Sequence, residues 1–82
     1  MRLTVLIRPK AGILDPQGEA VQASLTTLGF DVSSTRVGRL VDLVVDTDDA
    51  GNARAEVERM CAELLANPLI ESFEIVEHTE VA

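Results

Sequence analysis

Hydrophobic periodicity switches four times along this chain of 82 residues, between the two-residue repeat of a strand and the helical repeat. Each switch falls at a punctuating residue. Leu3, Val5 and Ile7 alternate with Thr4, Leu6 and Arg8 over residues 2–8, until Pro9 stops the run. Asp15-Pro16 then opens a helix, with Asp as N-cap and Pro at the first helical position. Val21, Leu25 and Leu28 recur at helical spacing, and Gly29 closes the helix. The pattern predicts a second strand over 32–37, a turn or bulge at Gly38 and a third strand over 40–46. Asp48 or Asp49 caps a second helix carrying the stripe Ala53, Val57, Met60, Cys61, Leu64 and Leu65. Asn67-Pro68 stops it, and residues 70–77 form a last strand with Phe73 and Ile75 pointing together.

That order, β-α-β-β-α-β, is the split βαβ arrangement of ferredoxin-like folds. Right-handed crossovers put two helices on one face of a four-stranded antiparallel sheet, a two-layer α+β sandwich forming one domain over 1–82. Only Phe30 and Phe73 are aromatic, so the core is built from Val, Leu, Ile and Ala. A chain of this length buries only ~60–65% of the surface exposed when unfolded. It is thin for a deep substrate cleft, and a partner chain would add buried surface.

Two consequences bear on function. The uncovered sheet face receives Leu6, Leu40, Val44 and Val76 beside Thr4, Asp42 and Glu74, less polar than a face left to water. That mixture points to self-association through the sheet, the alternative being scattered surface apolars of the common kind. The topology also brings the loop at 8–15 and the turns at 36–39 and 66–69 to one end. Arg8, Lys10, Arg36 and Arg39 gather there, as a docking or anion-binding pole or as an ordinary charged rim. Asp46, Asp48, Asp49 and Glu77 lie nearer the other end.

The net charge of −7 argues against nucleic-acid binding. It is unevenly placed: residues 1–41 balance at +2 and residues 42–82 at −9. A single cysteine, Cys61, excludes an internal disulfide and agrees with a reducing cytoplasm. No apolar run approaches the ~20 residues of a membrane span, so a cytoplasmic protein without membrane attachment is expected.

Catalytic constellations are hard to draw. Cys61 belongs to the apolar stripe of the second helix, and His78 is expected in a polar tail after the last strand, so the two should not meet. One His and one Cys at this spacing make no metal site, and neither common Gly-rich phosphate loop occurs. Glu56, Glu58 and Glu63 read as a solvated helix face. The stretch RPKAGILDPQGEAV at 8–21 differs in kind, with Pro9, Gly12, Pro16 and Gly18 in ten residues. Gly18 falls in the first helical turn, where Ala is favoured by up to ~1 kcal/mol, and a glycine there permits close approach by another backbone.

The segments RPKAGILDPQGEAV, SLTTLGF at 24–30, VSSTRVGRLVDL at 32–43 and LLANPLIESFEI at 64–75 together resemble the PurS family, small subunits of phosphoribosylformylglycinamidine synthase. The family's usual R-V-G-K turn reads Arg36-Val37-Gly38-Arg39 here. The resemblance implies a non-catalytic subunit of an ATP-dependent, glutamine-using ligase complex of purine synthesis. It would bridge a large synthetase subunit of the PurL type and a glutaminase subunit of the PurQ type and support ammonia transfer. It also implies a homo-oligomer, dimer or tetramer, with no cofactor in this chain and ATP and magnesium on the large partner. On that basis Arg8, Lys10, Asp15, Gln17, Gly18, Arg36, Gly38 and Arg39 are expected to face a partner or support the loop that does, with Asp15 as cap. A competing reading is a small-molecule-binding regulatory domain of the ACT type, which shares the element order.

Overall fold

The computed structural model describes residues 1–78; residues 79–82, the end of the expected domain, lie outside the described part. Strand β1 (Arg2–Pro9) leads to helix α1 (Pro16–Thr27), strand β2 (Arg39–Val44), helix α2 (Ala50–Met60) with a π turn at Cys61–Leu65, and strand β3 (Glu71–His78). The sheet has three strands in the order β2-β1-β3, both pairings antiparallel. Val5 lies between Val41 and Ile75, and Thr4 between Asp42 and Val76.

The expected strand over 32–37 is not part of this sheet. The segment runs without ladder pairing, and Gly38 marks where pairing begins. Here a Cβ on Gly38 would collide with the carbonyl oxygen of Ile7, so the two backbones touch at the mouth of the β1–β2 ladder. Serines 33 and 34 supply no apolar face to bury upstream of that contact, and β propensity reflects such packing. The four-stranded ferredoxin-like sheet is therefore corrected to three strands.

The core lies on one face only. Leu3, Val5, Ile7 and Ile75 from the sheet meet Ala53, Val57, Cys61 and Ala66, with Val45 closing one end. Asp49 caps α2 by accepting from Gly51 and Asn52 N–H at 3.0 and 3.2 Å. Of the expected stripe, Ala53, Val57 and Cys61 are buried, whereas Leu64 is 83% exposed. The reason is the π turn: Ala66 N–H bonds the Cys61 carbonyl five residues back at 3.1 Å. Its wider turn rotates Leu64 away from the sheet.

Helix α1 contributes nothing to that core. Only Gly18 of its residues is buried, and the helix lies instead against the 32–37 segment. The expectation of two helices on one sheet face thus holds for α2 alone.

Candidate functional site

The pole at which the sequence places Arg8, Lys10, Arg36 and Arg39 is braced by hydrogen bonds made by Lys10, Asp15 and Arg39. Lys10 N–H continues the β1–β3 ladder by donating to the Ile70 carbonyl at 2.8 Å, and its Nζ donates to the Pro68 carbonyl at 2.6 Å. The 10–15 loop then curls on itself, with Ile13 N–H on the Lys10 carbonyl at 3.2 Å. Gly12 takes a left-handed φ of 82°, open to glycine without strain. The loop ends at Asp15, which accepts from Gly18 N–H at 3.0 Å and from Val37 N–H at 2.9 Å. Those two amides, the Val37 one foremost, hold the Asp15 carboxyl below its ordinary value, and the Arg36 charge adds to the effect.

Gly18 is buried because α1 approaches the 32–37 backbone there. A Cβ would meet the Asp15 carboxylate and lie 2.7 Å from the Thr35 carbonyl oxygen. The sequence asked for a close backbone approach at this glycine, and its own chain provides it. Gln17 is exposed on the same first turn.

Arg39 is exposed, yet its guanidinium is tied to its own chain. Its guanidinium donates to the Leu65 carbonyl at 3.0 Å and to both oxygens of Glu71 at 2.8 Å. Glu71 also accepts from Asn67 N–H at 2.8 Å. That amide, then Arg39, lowers the Glu71 pKa. Sequence reasoning missed Glu71; its signal was an acidic residue opening a strand beside an Asn-Pro stop. Two of the four clustered cations therefore brace the 65–71 turn. Arg36 remains exposed beside the loop, and Arg8, 3.9 Å from Glu74, is exposed on the open sheet face. Loop and Arg36 together line an open depression of about 370 Å³, with Lys10, Leu14, Glu19 and Thr35 among its walls.

On the open face, Leu40 and Val44 are exposed and Leu6 and Val76 half-buried. Between them runs a polar chain across all three strands. Thr4 Oγ1 donates to Asp42 Oδ1 at 2.6 Å and lies 2.6 Å from His78 Nε2. Having one proton, the hydroxyl that donates to Asp42 must accept from His78, so Nε2 carries the ring hydrogen. His78 is thus a strand residue and not part of a polar tail. The alternation had put Thr4 and Asp42 on this face, and only the strand end was misplaced.

Cys61 is fully buried beneath α2, on the opposite face from His78. Desolvation, and secondarily Glu58, raises its thiol pKa, which suppresses the reactive thiolate. The acidic end is also present: Glu77 pairs with Arg54 at 3.0 Å, near the Met1 ammonium that donates to the Val45 carbonyl. No helix among the described residues is long and apolar enough to cross a membrane.

The geometry therefore offers a braced surface loop and an open sheet face. Relatives agree with a role in assembly. A PurS subunit of phosphoribosylformylglycinamidine synthase from Methanocaldococcus jannaschii is 37% identical over 75 residues, 90% of each chain. Its crystal structure superposes with a TM-score of 0.83, covering 96% of this chain and 98% of that one. A chain of the PurLQS structure from Thermotoga maritima is 28% identical with a TM-score of 0.86, covering 94% and 95%. These likenesses favour the subunit reading over an ACT-type regulator. Residues 2–78 match the PurS family of phosphoribosylformylglycinamidine (FGAM) synthase over nearly the whole chain, and the protein belongs to that family.

Proposed function

We propose that the chain is the non-catalytic bridging subunit of an FGAM synthase, a glutamine-using ligase, joining a PurL-type synthetase to a PurQ-type glutaminase and supporting ammonia transfer between them. The observation that carries this reading is the likeness, at a TM-score of 0.86, to a chain solved within a PurLQS structure. ATP and magnesium belong on the large subunit, in the cytoplasm. The docking element is the 9–15 loop with Arg36, held in shape by Asp15, Gly18, Lys10 and the Gly38–Arg39 turn, with Gln17 beside it and Arg8 on the adjoining sheet edge. A loop pinned at Lys10 and at Asp15 loses less conformational freedom on binding, which favours docking by a preformed surface. The open sheet face, through Leu6, Leu40, Val44 and Val76, supports self-association.

Reconstitution tests this. Glutamine-dependent FGAM formation by the purified synthetase and glutaminase should require this chain, while ammonia-dependent formation should depend on it far less. Equal glutamine-dependent rates with and without the chain would refute the reading. Arg36→Glu should impair the glutamine-dependent rate without changing the fold.

A further inference from the structure

Arg8, Arg39, Arg54 and Arg59 each lie within 3.9 Å of a glutamate. Arg36 does not. It makes no hydrogen bond or ion pair among the described residues and acts on Asp15 only through its charge. It stands in the wall of the open depression of about 370 Å³ beside the 10–15 loop. Next to it, the Thr35 hydroxyl is buried and finds no hydrogen-bond partner among the described residues. Burial without a partner is costly for a polar group, so this wall is unfinished in the isolated chain. The loop adds apolar surface. Leu14 lines the depression and is 71% exposed, and Leu69, on the turn that Lys10 grips through the Pro68 carbonyl, is 82% exposed. Singly exposed apolar side chains are ordinary; here one shares a hollow with an unpaired cation.

The geometry points to one occupant for this hollow: a peptide segment of a single partner subunit that sets one carboxylate on Arg36 and an apolar side chain on Leu14. Three features select it. The hollow is open, whereas small-molecule sites enclose most of their ligand, so what fills it must be held from outside by a larger body. Its charges balance, Lys10 and Arg36 against Asp15 and Glu19. Phosphate or a polyanion is therefore disfavoured, while a lone carboxylate at the Arg36 end is matched. The loop is pinned at Lys10 and at Asp15, so the surface is formed before the partner arrives. Arginine is also among the residues that carry most of the energy of an interface once desolvated. This inference rests on the bridging reading above and adds the chemistry of the contact to it.

The test is calorimetric titration of the full chain into the purified synthetase and, separately, into the purified glutaminase. Arg36→Glu and Leu14→Asp should each weaken binding to the same one of the two by about tenfold or more, and leave the other within about twofold. Both positions are exposed, so the fold should tolerate them. Arg59→Glu, the same change of charge on the exposed surface of α2, should leave both affinities as in wild type. If Arg36→Glu and Leu14→Asp bind both partners as wild type does, the docking hollow is refuted while the bridging reading stands. A wild-type chain that binds neither partner sinks both. A steep loss of wild-type affinity with salt, as several ion pairs would give, overturns the single carboxylate. A lower solution mass for Leu14→Asp alone in light scattering makes a second copy the occupant and equally defeats the proposal. Hydrogen exchange on the wild type reads the same contact without any substitution. Amides 11–14 and 36 should slow when the bound partner is added, and unchanged rates would count against the hollow whatever the variants do.

Discussion

Asp15 accepts a hydrogen bond from the backbone N–H of Val37, 2.9 Å away and 22 residues further along the chain. The same carboxylate caps α1 through Gly18. One side chain therefore starts the helix and ties it to the segment returning toward the sheet. Asp49 caps α2 in a similar way but makes no such cross-chain bond. Asp49→Ala should cost about 1 kcal/mol, the ordinary loss of an N-cap. Asp15→Ala should lower the melting temperature further, since Val37 N–H is orphaned as well. Thermal melts of the two variants side by side check this, and equal shifts would show that the Val37 bond contributes nothing.

Gly18→Ala should destabilise. In an open helix the change would stabilise by up to ~1 kcal/mol. Here the new methyl is forced onto the Thr35 carbonyl and the Asp15 carboxylate. Urea unfolding decides the sign, and a stabilised variant would mean that α1 shifts away from the 32–37 segment at no cost.

The sequence made Asp15, Pro16, Gly29 and the Asn67-Pro68 stop legible because each acts through local backbone geometry. It also located the basic pole, since register follows from alternation and topology. What it could not show was the fate of residues 32–37. Their strand-like pattern was readable, but pairing depends on which backbone lies alongside, and Gly38 against Ile7 fixes where the ladder starts. Leu64 failed for a different reason: helical spacing assumes a constant turn, and Cys61–Leu65 does not keep it. The contacts of Arg39 were not readable, because its acceptors, Leu65 and Glu71, come together only in the folded chain.

Acid should loosen the pole first. The folded pKa values of Asp15 and Glu71 lie below their ordinary values of 3.8 and 4.5. A depressed carboxyl stabilises the fold above its unfolded pKa, and that contribution is lost as pH falls through the folded value. Stability should therefore be flat in these two groups near neutrality and decline below about pH 4.5, as the ordinary Glu value is passed. Glu71→Gln should remove part of that decline. Melting temperatures from pH 6 to pH 3 measure it, and a variant curve parallel to wild type would exclude Glu71 as a contributor.

Arg39→Lys preserves charge but not the planar guanidinium whose Nη2 reaches Leu65 and both Glu71 oxygens together. Amides of the 66–71 turn should exchange faster in this variant. Unchanged protection would show that Asn67 and Lys10 hold the turn unaided.

The Cys61 thiol should resist alkylation at neutral pH in the native protein and react promptly in urea, because burial blocks access and raises its pKa together. Comparable native and denatured labelling rates would contradict the packing of α2.

The π turn also sets a rule for how this chain can vary in length. Between Val57 and Ala66 both end points are buried, and the extra-wide turn absorbs the rotation that brings Ala66 and the Asn67-Pro68 corner into place. Deleting one residue there would turn everything downstream by about 100°, swinging Glu71 away from Arg39. The exposed connection just after α1, before Val32 bonds back to Gln22, carries no such phase requirement. Insertions should therefore be tolerated around residues 29–31 and rejected across 58–66, so that related chains differ in reach at one end while keeping count at the other.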